Sequence, residues 1–278
     1  MILGFEPTKT YTNDDLTTRL GCSPQGGMRR SHETNTLTIV SNHIESIYDD
    51  RWDGDVLYYT GMGRQGDQSL TFMQNRTLAN HIEEGTRVLH FEVFNTGVYT
   101  FVGEMELCRE PIEEIQPDED GRLRKVYVFP LKLIEGVIPT VDKELDNELL
   151  EKRVKKVKRK SNKQDIERRA KSASGKPGTR QVTSTSYTRD PYVVAYTLDR
   201  ANGICELCNN PAPFQKKDGT PYLEVHHIQW LAKGGEDTIA NTVALCPNCH
   251  KKMHILNLPK DIKSLLQAIS PKQVNYNS

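Results

Sequence analysis

Two Cys-x-x-Cys pairs, Cys205/Cys208 and Cys246/Cys249, constrain this chain more than any other feature. Four thiolates drawn together make a closed tetrahedral Zn²⁺ site, structural because no coordination position stays open. The 37 residues between the pairs exceed the loop of a simple zinc ribbon. The metal must therefore clamp a miniature domain with room for a second site.

The segment between the cysteines supplies candidates. Glu224-Val225-His226-His227-Ile228 reads as a β-strand, and Gly234-Gly235 marks the turn after it. Neighbouring strand residues face opposite sides, so His226 and His227 cannot serve one site unless the strand is bulged or ends there. Asn241 follows in a loop. Pro247 to His254 reads as a helix start, which puts His250 and His254 on one helical face. Imidazoles at i and i+4 suit a divalent metal.

In this order, His226-His227, Asn241 and Cys246-Pro247-Asn248-Cys249-His250 resemble the ββα-metal nuclease motif known as HNH, in its zinc-stapled form. The resemblance runs from roughly Arg189 onward. With the lead-in Arg189-Asp190-Pro191 it extends to the C-terminal domain of McrA-type modification-dependent restriction endonucleases. It implies His227 as general base, with His226 and His250 holding a catalytic Mg²⁺, Mn²⁺ or other divalent ion. It implies Asn241 as the residue that orients the base or pins the loop. His254 is a further ligand or a helix-face histidine. Glu224 matches an acidic position of some colicin-type relatives or is a solvated strand residue. The chemistry suits these types: a base must take water's proton near neutral pH, and a cation stabilises the charged phosphorane and leaving oxygen. The competing reading is a structural zinc module with incidental histidines, although a Cys₄ site needs none of the four.

At 278 residues the chain suggests two domains. No run of about 18 apolar residues exists, so no membrane span is expected. The N-terminus lacks the pattern of a signal peptide. Four of six cysteines are committed to the pairs, leaving Cys22 and Cys108, which fits a reducing, cytoplasmic setting. Net charge is zero, but residues 1–140 carry 13 Lys/Arg against 22 Asp/Glu, and residues 141–278 carry 24 against 15. The basic half calls for a polyanion partner.

In the first half, Thr12 to Leu16 caps a short helix leading to Leu20, and Gly21 to Gly27 reads as a loop. Arg29 and Arg30 sit in a basic stretch that either contacts DNA or is a solvated loop. Strands are expected at 36–40, 56–60, 87–94, 98–103 and 125–129, and a short helix at Asn75 to Ile82. This pattern suggests a twisted, barrel-like sheet. Residues 112–124 read as an acidic loop.

Within this half, Tyr48-Asp49-Asp50, Asp53-Gly54, Tyr59-Thr60-Gly61-Met62-Gly63 and Asn75-Arg76-Thr77-Leu78-Ala79 resemble, in order, the SRA domain, a PUA-like reader of 5-methylcytosine. The spacing is one residue short between the first Tyr and the Tyr-Thr-Gly. The resemblance implies base flipping into a pocket with Tyr48 and Tyr59 as plates. It implies Asp50 as acceptor for the cytosine amino group and Thr60 beside the 5-substituent, with Asp49 able to exchange with Asp50. The plainer reading makes Tyr59 a sheet residue and the Asp cluster a solvated turn.

Residues 141–188 read as a basic linker, helical from Asp142 to about Ala173, with Leu145, Leu149, Leu150 and Val154 as an apolar stripe. Seven of nine residues from Lys152 to Lys160 are Lys or Arg, and Lys152, Arg153, Lys155 and Lys156 are candidate phosphate contacts or a solvated face. Ser172 to Tyr187 reads as flexible. Helices are expected at Pro191 to Asn202 and Ile262 to Ile269, with a loose tail from Pro271. The expected class is α+β: a PUA/SRA-like β-barrel over 1–140, the linker over 141–188, and a zinc-stapled ββα-metal domain over 189–278. The expected partner is double-stranded DNA bearing 5-methyl- or 5-hydroxymethylcytosine, cut by a homodimer because one HNH site cuts one strand. A non-cleaving reader of modified DNA and an HNH nicking enzyme indifferent to modification are the rivals.

Overall fold

The structure, a computed structural model, describes residues 1–44, 48, 50–118, 120, 122–171 and 177–270. The Asp49 alternative, Glu119, residues 172–176 and the tail from 271 lie outside the described residues. The chain divides into two compact units, Met1–Ser184 and Thr185–Ser278.

Unit 1 opens with β1 (Thr10–Tyr11) and α1 (Asn13–Leu20). Thr12 starts α1 through a capping box: its hydroxyl accepts from the Asp15 N–H at 3.1 Å, and the Asp15 carboxylate accepts from the Thr12 N–H at 2.8 Å. Leu16 and Leu20 of α1 are buried. The strands β2 (Met28–Ser31), β3 (Thr36–Asn42), β4 (Arg51–Asp53) and β5 (Val56–Thr60) follow, then α2 (Met73–Ala79). Next come β6 (Arg87–Asn95), β7 (Val98–Leu107), β8 (Ile112–Pro117) and β9 (Leu123–Gly136). They form one nine-stranded mixed sheet in the order β2-β3-β6-β7-β9-β5-β4, with β1 on β7 and β8 on β9. Only β3 and β6 pair in parallel; the other recorded pairs in this sheet are antiparallel.

Alternation sorts side chains into two cores. In β6, Val88 joins Leu37, Ile39, Leu57, Phe129 and Leu131 on one side. Leu89, Phe91 and Val93 join Phe5, Leu16, Leu20 and Phe101 on the other. β6 is thus covered on both faces, and its polar residues His90 and Glu92 lie inside the protein. Strands β7 and β9 meet at Gly103 and Gly136, which are register partners. A Cβ on Gly103 would lie 2.1 Å from the Glu135 carbonyl, and one on Gly136 2.2 Å from that of Val102. Only glycine permits this backbone approach.

Three expectations need correction. Residues 112–117 are a strand on β9, not a loop: Glu113 and Glu114 bond Tyr127 and Arg51, so the acidic residues are partnered edge residues. Arg29 and Arg30 lie on β2, not in a loop. Arg29 is 4% exposed, and its guanidinium is spent on Gly26, Asn13 and Tyr99. Arg30 is engaged at the β2–β3 turn by Thr36 and Asn35. The expected linker is also not a detached segment. β10 (Val141–Asp142) pairs in parallel with β11 (Val182–Thr183), and both belong to unit 1. Between them run α3 (Lys143–Lys160) and α4 (Lys163–Lys171), interrupted at Ser161. Leu145 and Leu149 pack with Phe94 and Val141, which leaves Leu150 and Val154 as the exposed part of the apolar stripe.

Unit 2 runs through α5 (Pro191–Ala201), β12 (Glu224–His227), β13 (Thr242–Leu245), α6 (Pro247–Leu256) and α7 (Pro259–Ile269). β12 and β13 are antiparallel, with His226 opposite Val243 and His227 opposite Thr242. Val243, Ala244 and Leu245 form a small core with Leu223, Ile228, Met253 and Leu265. This is the ββα arrangement expected from the sequence.

Candidate functional site

The four cysteines converge in unit 2. Their sulfurs lie within 4.8 Å of one another, and the Cys208 and Cys246 Sγ atoms are 4.0 Å apart. A Zn–S length of about 2.3 Å implies tetrahedral S···S edges of about 3.8 Å, so the donor set fits Zn²⁺. Two similar turns present them: the Asn209 N–H donates to the Cys205 carbonyl and the His250 N–H to that of Cys246, each at 2.9 Å. Cys246 is the N-cap of α6, and Pro247 opens the helix. Burial pushes the Cys246 and Cys249 thiols up, so a bound ion must displace protons to form thiolates. Glu206 ties this knuckle to β13 by accepting from the Ala244 N–H at 2.7 Å and from Arg200.

A second cluster lies across the ββα unit. The ring nitrogens of His226, His250 and His254 all lie within 4.8 Å of one another. Ring centroids are 5.1, 5.0 and 4.6 Å apart, with interplanar angles of 76°, 88° and 79°. His226 is 2% exposed, and its Nε2 has no hydrogen-bond partner among the described residues. Burial, then the neighbouring charges of His250 and His254, lowers its pKa to about 3. It therefore stays neutral and keeps a lone pair for a metal. His250 is oriented by Glu224, whose carboxylate accepts a hydrogen bond from the Nδ1–H and another from the Tyr222 hydroxyl at 2.9 Å. That leaves the His250 Nε2 facing the His254 Nε2 at 3.1 Å. The set fits a divalent cation, and His254, left open by the sequence, belongs to it geometrically.

His227 turns away from this cluster, as alternation on a strand requires. Its Nε2 lies 2.7 Å from the Asp237 Oδ1. Sequence reasoning missed Asp237. It sits in a polar loop next to Glu236, and nothing in local spacing separates the two. Asn241 pins this loop: its Oδ1 accepts from the Gln229 N–H at 2.8 Å, and its Nδ2 donates to the Gln229 and Glu236 carbonyls at 3.0 and 2.8 Å. Of the two roles open to Asn241, its contacts are those of loop bracing.

In unit 1, Asp50 and Thr60 meet directly, the Thr60 N–H donating to Asp50 Oδ1 at 2.9 Å. The Ser41 hydroxyl donates to Asp50 Oδ2 at 2.9 Å and lies 3.1 Å from the His90 Nε2. Tyr59 is 3% exposed, and its hydroxyl donates to the Gly27 carbonyl at 2.9 Å. Burial pushes that hydroxyl well up, and the charges of Asp50 and Tyr48 add to the shift. Tyr48 donates to the Gly63 carbonyl at 3.2 Å. Asn75 of the motif, with Gln68, braces the loop behind Thr60. Asn75 bonds both the N–H and the carbonyl of Met62, and Gln68 bonds the Gly61 carbonyl at 2.5 Å. A Cβ on Gly61 would meet the Asn75 Oδ1 at 2.8 Å.

The candidate phosphate contacts on α3 are mixed. Lys152 and Lys155 pair one turn back with Glu148 and Glu151 at 3.4 and 3.9 Å, and both pairs are exposed. Such pairs are weak enough for a phosphate to displace. Arg153 is exposed and Lys156 half-buried.

Residues 8–153 match the family model described as ScoMcrA-like, SRA domain, and residues 205–255 match that of HNH endonuclease. The chain is 40% identical over 139 residues to the type IV methyl-directed restriction enzyme EcoKMcrA of Escherichia coli K12, covering 50% of this chain and 48% of that protein. It thus spans about half the length of the curated relative it matches. Among solved structures, the phosphorothioation-dependent restriction endonuclease ScoMcrA aligns at 21% identity over 95% of this chain and 62% of its own, with a TM-score of 0.39. The SUVH5 SRA domain in complex with fully methylated CG DNA aligns at 26% over 50% and 95%, with a TM-score of 0.37. The model matched over 8–153 spans just over half of the 278 residues, and the chain belongs to the ScoMcrA-like SRA domain family, here joined to an HNH endonuclease domain.

Proposed function

We propose that this protein is a modification-dependent DNA endonuclease: unit 1 reads a modified cytosine, 5-methyl or 5-hydroxymethyl, by flipping it from the duplex, and unit 2 hydrolyses the phosphodiester bond. The observation that carries the reading is the three-histidine cluster, with the His226 Nε2 buried and unpartnered among the described residues. The similarity to a methyl-directed restriction enzyme supports the same reading. Double-stranded DNA is the partner. A homodimer supplies the second site that a double-strand cut needs, and the exposed Leu150 and Val154 are its candidate contact.

A divalent ion held by His226, His250 and His254 would neutralise charge on the scissile phosphate and the leaving oxygen. The rest falls to the chain. Glu224 orients His250; His227 takes the proton of the attacking water; Asn241 holds the loop in front of His227. In unit 1, Asp50 is held by Thr60 and Ser41, so its carboxylate is oriented before a base arrives to donate a hydrogen bond from its amino N–H. Tyr48 and Tyr59 supply aromatic faces.

The test uses the full chain. His227→Ala is expected to lose about 10²–10⁴-fold in cleavage rate while DNA binding persists. Asp50→Ala is expected to lose the preference for modified over unmodified DNA. Cleavage by His227→Ala at the normal rate overturns the base, and an unchanged preference in Asp50→Ala overturns the pocket.

A further inference from the structure

The carboxylate on His227 has a second partner that gives it a direction. Asp237 Oδ1 faces the His227 Nε2 at 2.7 Å, while its Oδ2 accepts from the backbone N–H of Asp190 at 2.6 Å. These bonds, first that from Asp190 and then that from His227, hold the Asp237 carboxyl below the usual carboxylate range, so it is ionised and can only accept. The Nε2 must therefore carry the imidazole proton, and the lone pair of neutral His227 falls on Nδ1.

The Arg189-Asp190-Pro191 lead-in is the anchor of this arrangement. The Asp190 side chain caps α5 by accepting from the Tyr192 N–H at 2.8 Å, and Pro191 occupies the first turn. With the side chain thus engaged, the Asp190 backbone N–H is fixed toward Asp237. Arg189 donates to the Val225 carbonyl at 3.1 Å, fastening the same segment to β12 beside the histidine pair. Both ends of the Asp237 carboxylate are thus set by groups with fixed positions.

We propose that Asp237 is a positioning residue that holds His227 as the Nε2–H tautomer, reserving Nδ1 to take a proton from water, and that the Asp190 backbone N–H sets its orientation. The proposal rests on the nuclease reading through the role of His227, but its geometry can be tested apart from cutting. In Asp237→Asn the Asp190 N–H selects the amide oxygen, as it selects a carboxylate oxygen in the native chain. The amide NH₂ then faces the His227 Nε2, which must become an acceptor, and the proton moves to Nδ1. The fold should survive, because the α5 cap and the bond to Asp190 remain.

The experiment is ¹⁵N-labelled imidazole spectroscopy of the full, zinc-loaded chain, native and Asp237→Asn, at a pH where the His227 ring is neutral, with steady-state cleavage alongside. The native ring is expected to show Nε2–H and the variant Nδ1–H. The kcat of the variant is expected to fall by about 10³-fold or more, with KM for DNA and zinc content near native. Retention of Nε2–H in the variant, or a kcat within tenfold of native, overturns the proposal. If the native chain cuts no DNA, the nuclease reading falls, while the tautomer comparison still decides what Asp237 does.

Discussion

Acid should loosen unit 1 in a defined window, through two titratable groups buried on β6. Burial lowers the His90 pKa to about 4. Glu92 is pushed up by burial, but the hydrogen bond from His43, with the charges of His43, His90 and Arg180, outweighs this and holds it at about 2. The Trp52 indole also donates to Glu92 at 2.8 Å. Both folded values lie below the ordinary ones of 6.5 for His and 4.5 for Glu. For both groups the unfolded chain therefore binds more protons than the folded one, and stability rises with pH. The His90 contribution is lost as pH falls from about 6.5 to about 4, and that of Glu92 from about 4.5 to about 2. Each shift of roughly 2.5 units corresponds to about 3 kcal/mol at 1.36 kcal/mol per unit. The two share the same charges, so their sum is less than additive. Urea unfolding of a Trp230→Phe chain, followed by Trp52 fluorescence, measures unit 1 at pH 7, 5.5 and 4. We expect a loss of about 3 kcal/mol over this range and a clearly smaller loss in His90→Gln, whose amide still reaches Ser41. Equal losses in the two proteins would refute the reasoning.

Two other outcomes follow from the structure. Gly136→Ala should destabilise unit 1 by about 3 kcal/mol or more, because its Cβ would lie 2.2 Å from the Val102 carbonyl, whereas Gly54→Ala, with nothing within 4 Å, should cost only the strain of its positive φ; urea midpoints compare them. Chelation, or Cys246→Ser, should remove zinc and melt unit 2, since binding supplies much of such a small domain's folding energy; metal analysis with near-ultraviolet circular dichroism checks it, and a folded metal-free domain would contradict it.

Much of the second unit was legible in the sequence, because metal chemistry fixes residue types and spacing. The cysteine pairs, the strand holding His226 and His227 and the helix holding His250 and His254 all stand where their spacing put them. Strand alternation anticipated that the two adjacent histidines part company. Asp237 was not legible, because its partner lies ten residues away and its anchor at Asp190 lies 47 away. The long strands of unit 1 were visible through their apolar alternation. β2 and β8 were not: Met28–Ser31 is half arginine, and Ile112–Pro117 carries two glutamates, so pairing with β3 and β9, not composition, makes them strands. Arg29, expected to contact DNA or to lie in a solvated loop, is instead buried by tertiary packing that its local sequence does not announce.

The most direct test of the central claim is cleavage of one plasmid prepared unmodified, 5-methylated at cytosine and 5-hydroxymethylated, with Mg²⁺, Mn²⁺ or a chelator. The account predicts metal-dependent cutting confined to modified DNA. Equal cutting of all three forms, or no cutting of any by the folded, zinc-loaded protein, would contradict it.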